Sequence, residues 1–189
     1  MTQTVQMRVF WAVTAVFFVV YGLLVGWVGP WLTELAGGLP VLDTRPMGYT
    51  LDDVRALLSA AQPGFVEAYG HVATTWDRAV PVLAGAMFTL GLWTGGGIWR
   101  FLAVLGVAYG IADLTENALV MRLMQRMPDE ITAEAVARAS AVSVTKWVLV
   151  GLCFVALIGR FVAGLFGKAQ GQARDKTRGK TQEKSRGQV

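Results

Sequence analysis

Residues 101–124 read FLAVLGVAYGIADLTENALVMRLM. A helix rises about 1.5 Å per residue, so these 24 residues are long enough to cross a hydrocarbon core of roughly 30 Å. Yet Asp113 stands at the middle of the run, with Glu116 and Asn117 just beyond it. At roughly 100° per residue those three fall within about 100° of one another, and Gly106, Tyr109, Gly110 and Val120 share their face. Val104, Ile111, Thr115, Ala118 and Leu119 occupy the opposite face. A helix that is small and polar on one side and apolar on the other turns the first side into a bundle and the second to lipid.

Three more apolar runs surround this one. Val9 to Gly29 contains no charge across 21 residues; Ala79 to Trp99 lies between Asp77–Arg78 and Arg100; the last begins near Ala141 and ends near Phe166. The first run is too long for the core of a cleaved signal, and no small-x-small site follows it, so a retained membrane helix is expected. Trp11, Trp27, Trp31, Trp76, Trp99 and Trp147 fall mostly near the ends of the runs, where indoles anchor at the interface. Apolar residues make up 54% of the chain and charged ones 16%, with a mean hydropathy of +0.47. The sequence therefore predicts an all-α, polytopic membrane four-helix bundle. Residues 1–166 form the membrane domain, with spans near 9–29, 79–99, 101–124 and 141–166.

Segment 30–78 carries three arginines against six acids, whereas the tail 167–189 carries seven lysines and arginines against two acids. By the positive-inside rule the tail and, with four spans, the N-terminus are cytoplasmic, and segment 30–78 faces outward. That outer segment is patterned. Thr50 with Asp53 three residues on is a variant of the capping box, which predicts a short helix over Leu51–Ala61. Pro63–Gly64 breaks it, and Phe65, Tyr69, Val72 and Trp76 then recur at helical spacing. The tail from Lys168 is almost without apolar residues and is expected to be disordered. It would fix topology and be drawn to anionic lipid through 168–189. No aromatic residue interleaves with its charges, which argues against nucleic acid. Cys153, the single cysteine, is read as a small hydrophobe that cannot form an intramolecular disulfide, and one histidine and one cysteine predict no metal site and no cofactor.

Two carboxyls inside a bilayer are protonated, paired or hydrated. Lys146 lies at a depth similar to Glu116 and is the expected counter-charge, while Asp113 would accept from Asn117, Tyr109 or another tyrosine. The candidate polar site is thus Asp113, Glu116, Asn117, Tyr109 and Lys146. Small-xxx-small spacings at Gly106/Gly110, Gly22/Gly26 and Gly91/Gly95 mark possible close helix crossings.

The run Leu42-Asp43 … Gly48-Tyr49-Thr50, followed by Tyr69, Asp77, Pro81 and Asp113-x-x-Glu116-Asn117, resembles a family of uncharacterised four-helix bacterial membrane proteins with a D-x-x-E-N in the third helix. The resemblance spans roughly 9–165. It departs at Pro63-Gly64-Phe65, where members often carry Gly-Arg before the tyrosine. It implies a bacterial cytoplasmic membrane, an outer helical segment, and Asp43, Tyr49, Tyr69 and Asp77 as an outer rim above Glu116 and Asn117. It implies no activity. Three functions follow in order of expectation. The first is a non-enzymatic structural or interaction protein, with a membrane partner or a second copy. The second is binding or transport of a small molecule, lipid or ion (a proton included) through Asp113 and Glu116. The third is a membrane enzyme with a carboxylate acid/base pair, which lacks an accompanying nucleophile or metal cluster.

Overall fold

The computed structural model describes residues 2–186, with side chains through 167. Its described residues form helices joined by turns. Helix α1 (Gln3–Leu23) passes through one π turn, Leu24–Val28, into α2 (Gly29–Leu35). Pro30 is the physical cause. It has no N–H, and its ring would collide with the carbonyl four residues back, so the Gly29 N–H reaches Leu24 O instead.

The outer segment then folds as a cap. A 3₁₀ turn at Leu42–Thr44 leads to α3 (Leu51–Ala60) and α4 (Phe65–Thr74). The capping box at Thr50 and Asp53 is complete, with the Asp53 N–H donating to Thr50 Oγ1 at 3.2 Å and the Thr50 N–H donating to Asp53 Oδ2 at 2.7 Å. Gly64, at φ +87°, makes the break that Pro63–Gly64 predicts. Phe65, Tyr69 and Val72 are buried as their spacing requires, together with Leu42, Val54 and Leu57. Trp76 instead opens the next helix and is exposed.

Helix α5 (Trp76–Trp93) packs on α1, α7 and α8. It stops six residues short of the expected Trp99, because Gly95, Gly96 and Gly97 follow it, the last two at φ +69° and +49°. The short α6 (Ile98–Leu102) and α7 (Val104–Met124) carry the D-x-x-E-N stretch. Helix α8 begins at Ala133, about two turns earlier than the expected start near Ala141, with Thr132 Oγ1 accepting the Ala135 N–H. Its first turns lie against the cap, where Val136 and Ala139 are buried.

The backbone of α8 continues as helix to Arg186, through the stretch expected to be disordered. A helix already nucleated in an apolar span extends at low cost, and Lys, Arg, Gln, Glu and Ala are good helix formers.

Three helices are long and apolar enough to cross a membrane: Gln3–Leu35, Ile98–Met124 and Ala133–Gly167, with mean hydropathies of 2.3, 1.4 and 2.4 over their most apolar stretches. The fourth expected span, 79–99, falls on α5, whose first turns contain Asp77, Arg78 and Pro81. The polarity of the fold is inverted. Phe101, Val155 and Leu165 are about two-thirds or more exposed, while Asp113, Glu116, Asn117, Ser143 and Lys146 are buried. Thr14, Thr115 and Thr145 in these helices satisfy their hydroxyls on the carbonyl four residues back.

The close crossing is between α5 and α7. A Cβ on Gly106 would lie 2.7 Å from Thr89 N and 2.8 Å from Gly85 O, so two backbones meet there. Gly91 is likewise packed, against Leu157 and Phe10. Gly22 and Gly26 have open space where a side chain would stand, and mediate no crossing.

Candidate functional site

The polar face of α7 meets three other elements at the capped end of the helices. Glu116 is fully buried. Its Oε2 pairs with Lys146 Nζ, and its Oε1 accepts from the Ser143 hydroxyl. Asp113 Oδ1 lies 3.7 Å from the same ammonium, and its Oδ2 accepts from Tyr109 OH at 2.7 Å. The third contact of Lys146 goes to the cap, where Nζ donates to the backbone carbonyl of Asp43 at 3.0 Å. Lys146 therefore joins α7, α8 and the 3₁₀ turn of the outer segment through one ammonium.

Two further contacts bind the cap. Gly48, at φ +83°, lets the chain approach α8 so closely that a Cβ there would stand 2.5 Å from Ser140 Oγ. The next N–H, that of Tyr49, donates to the same Ser140 oxygen at 2.8 Å. Asn117 solves a problem set by proline. Pro81 has no N–H for the carbonyl of Asp77 one turn earlier in α5, and Asn117 Nδ2 donates to that carbonyl at 3.2 Å.

All five residues of the predicted polar site come together, with Glu116–Lys146 as the ion pair and Tyr109 as the donor to Asp113. Asn117 does not bond Asp113. The outer rim joins them. Asp43 and Asp77 are half-buried, Tyr49 and Tyr69 buried, and the Tyr69 hydroxyl is turned to the Asp43 carboxyl without completing a hydrogen bond. The resemblance left two readings of the rim, a polar pocket opening outward and, preferred to it, Asp77 capping its helix with the tyrosines packed. The tyrosines are buried, and two surface grooves in this region lie elsewhere. One, of about 840 Å³, runs between Pro63, Phe65, Gly70 and Met121; the other, of about 450 Å³, lies beside Pro40, Arg45 and Met47.

Burial pushes the Asp77 carboxyl up to about 8, with the Asp43 carboxylate adding to the effect. Burial also raises Asp43, against the lowering influence of Lys146. Tyr69 is held well above its ordinary range by burial and by the acids around it.

Ser140 and Ser143 were not singled out from the sequence. With Lys146 they recur every three residues on one side of α8, a spacing that places hydroxyls and ammonium on a common stripe. Among the described residues no group of three or more His, Cys, Asp and Glu side chains is arranged to hold a metal ion.

The fold and this hub define an all-α protein with an apolar exterior and a charged interior at one end. No family model, no curated protein and no solved structure matches the chain.

Proposed function

We propose that the chain is a non-enzymatic, multi-pass protein of the bacterial cytoplasmic membrane, whose buried hub fastens an extracytoplasmic helical cap onto four crossing helices. The observation that carries this reading is the set of contacts between cap and helices: Lys146 to the Asp43 carbonyl, and the Tyr49 N–H to Ser140. A loop that merely joined two spans would need no buried ammonium beneath it. Helix α5 serves as the fourth crossing, with its polar first turn under the cap rather than in lipid. Both termini are then cytoplasmic, with the basic stretch 168–189 beside anionic lipid, and the cap offers an outer surface to a membrane partner or a second copy.

Two measurements test this. Met47 is almost fully exposed on the cap. A Met47→Cys variant in a Cys153→Ala background should react with a membrane-impermeant maleimide in intact cells, and labelling only after lysis would reverse the orientation. In lipid nanodiscs the amides of α3 and α4 should exchange as slowly as those of α7. Fast exchange there would mean that the cap is not fastened.

A second reading, ion or proton handling through Asp113 and Glu116, is favoured by the arithmetic of the hub. Asp43, Asp77, Asp113 and Glu116 are gathered around one ammonium.

A further inference from the structure

The hub does not serve its four carboxyls equally. Glu116 receives Lys146 and Ser143, and Asp113 receives Tyr109 and the edge of Lys146. The ammonium's remaining contact goes to the backbone of Asp43, not to its carboxylate. Asp43 Oδ1 is buried with no donor. The hub holds three more polar groups without partners on side chains at least nine-tenths buried: Tyr49 OH, Tyr69 OH, turned to Asp43, and Asn117 Oδ1, whose amide is anchored on the Asp77 carbonyl. Tyr49 and Tyr69 can each donate an O–H to these acceptors, so what this corner lacks is positive charge, four carboxyls facing one ammonium.

We propose that Asp43 and Asp77 form a proton-binding site under the cap, holding at neutral pH protons taken from the outer aqueous phase. Each bound proton converts a carboxylate, which the single ammonium cannot neutralise, into a neutral carboxylic acid. The groups facing the pair come from every element around it. They are Tyr49 from the outer segment, Tyr69 from α4, Asp113, Glu116 and Asn117 from α7, and Lys146 from α8. Lys146 is the one cation among them, and it is already engaged below. Both aspartates are half-buried as residues, with Asp43 Oδ1 itself covered. This deepens the second reading above and moves its site from the Asp113–Glu116 level to the cap boundary. Asp113 and Glu116 become the charged floor that keeps Lys146 occupied.

The test is infrared titration of the full chain in lipid nanodiscs, reading the carbonyl stretch of protonated carboxyl groups between pH 5 and 10. The wild type should show that band at pH 7 and lose it as the pH passes about 8. Asp43→Asn and Asp77→Asn should each remove part of it. A wild type with no such band at pH 7 overturns the proposal whatever the variants do. So does a band that survives both substitutions and disappears in Asp113→Asn. Alkaline carbonate extraction of the same membranes tests integration separately. A chain that washes off refutes the membrane reading and leaves the carboxyl band to be judged independently.

Discussion

Lys146→Met separates a charged hub from a set of ordinary hydrogen bonds. The methionine side chain fills most of the volume and removes the charge. Glu116, fully buried, would keep only the Ser143 hydroxyl on Oε1, leaving Oε2 with nothing. Asp113 would retain Tyr109, and the Asp43 carbonyl would lose its donor. Interhelical hydrogen bonds within membrane proteins contribute about 0.6 kcal/mol each, so three lost contacts of that kind come to about 2 kcal/mol. Breaking a buried ion pair by removing one partner costs about 3–5 kcal/mol, because an uncompensated charge is left behind. The second figure applies here. At about 2–4 °C per kcal/mol it lowers the unfolding midpoint by about 10 °C, measured by circular dichroism in one detergent at pH 7.

The double variant Lys146→Met/Glu116→Gln removes the stranded charge and should recover most of that loss. The pairwise coupling is then read directly from the cycle. A single variant that loses less than about 1 kcal/mol, or a double variant no more stable than the single, would refute the compensation argument.

Gly106→Ala should cost about 2–3 kcal/mol, since the added carbon meets backbone of α5, whereas Gly22→Ala should be neutral or gain up to about 1 kcal/mol; thermal unfolding of both decides. Gly48→Ala should release the cap locally, because the residue needs both its positive φ and the space against Ser140, and faster proteolysis confined to 39–74 would show it. Asp77 is raised from 3.8 to about 8 in the folded protein, so its stability contribution is full below pH about 4 and is lost as the pH climbs to about 8. The wild-type midpoint should therefore fall across that window, at no more than about 1.4 kcal/mol per pH unit from this group, and Asp77→Asn should flatten the fall.

The D-x-x-E-N face was legible because a helix fixes the angles between its own residues, so Asp113, Glu116 and Asn117 had to point one way. Lys146 was found from depth alone, since charge balance in a bilayer leaves few other cations at that level. The cap's helices were legible from Thr50, Asp53, Pro63 and Gly64, which act locally. What the sequence hid depends on tertiary approach. That Asn117 serves the carbonyl freed by Pro81 follows only once α5 and α7 are known to cross at Gly85 and Gly106. Likewise Gly48 can be seen to admit Ser140 only when α8 is known to extend above the apolar span. The height of the rim residues was legible, but whether they opened as a pocket or packed depended on the cap that folds over them.

The position of the hub within the helices also bears on what its acids can do. Its charged groups all lie toward the capped end, and beyond Tyr109 the interior changes character. Phe88 packs edge-on against Tyr109 at 5.9 Å and against Phe154 at 4.9 Å, with Met87, Phe10 and Cys153 buried in the same cluster. A proton or cation crossing the membrane through one copy of this chain would have to leave four carboxyls and enter an aromatic layer that offers it no acceptor. The cost of a bare charge in such a layer is several kcal/mol, about 2.5–3.5 on insertion scales, and the helices there gain nothing in return. On the capped side Asp43 and Asp77 are only half-buried. The asymmetry therefore favours a protein that binds protons from one side and registers them in how firmly the cap is held, over one that passes them through.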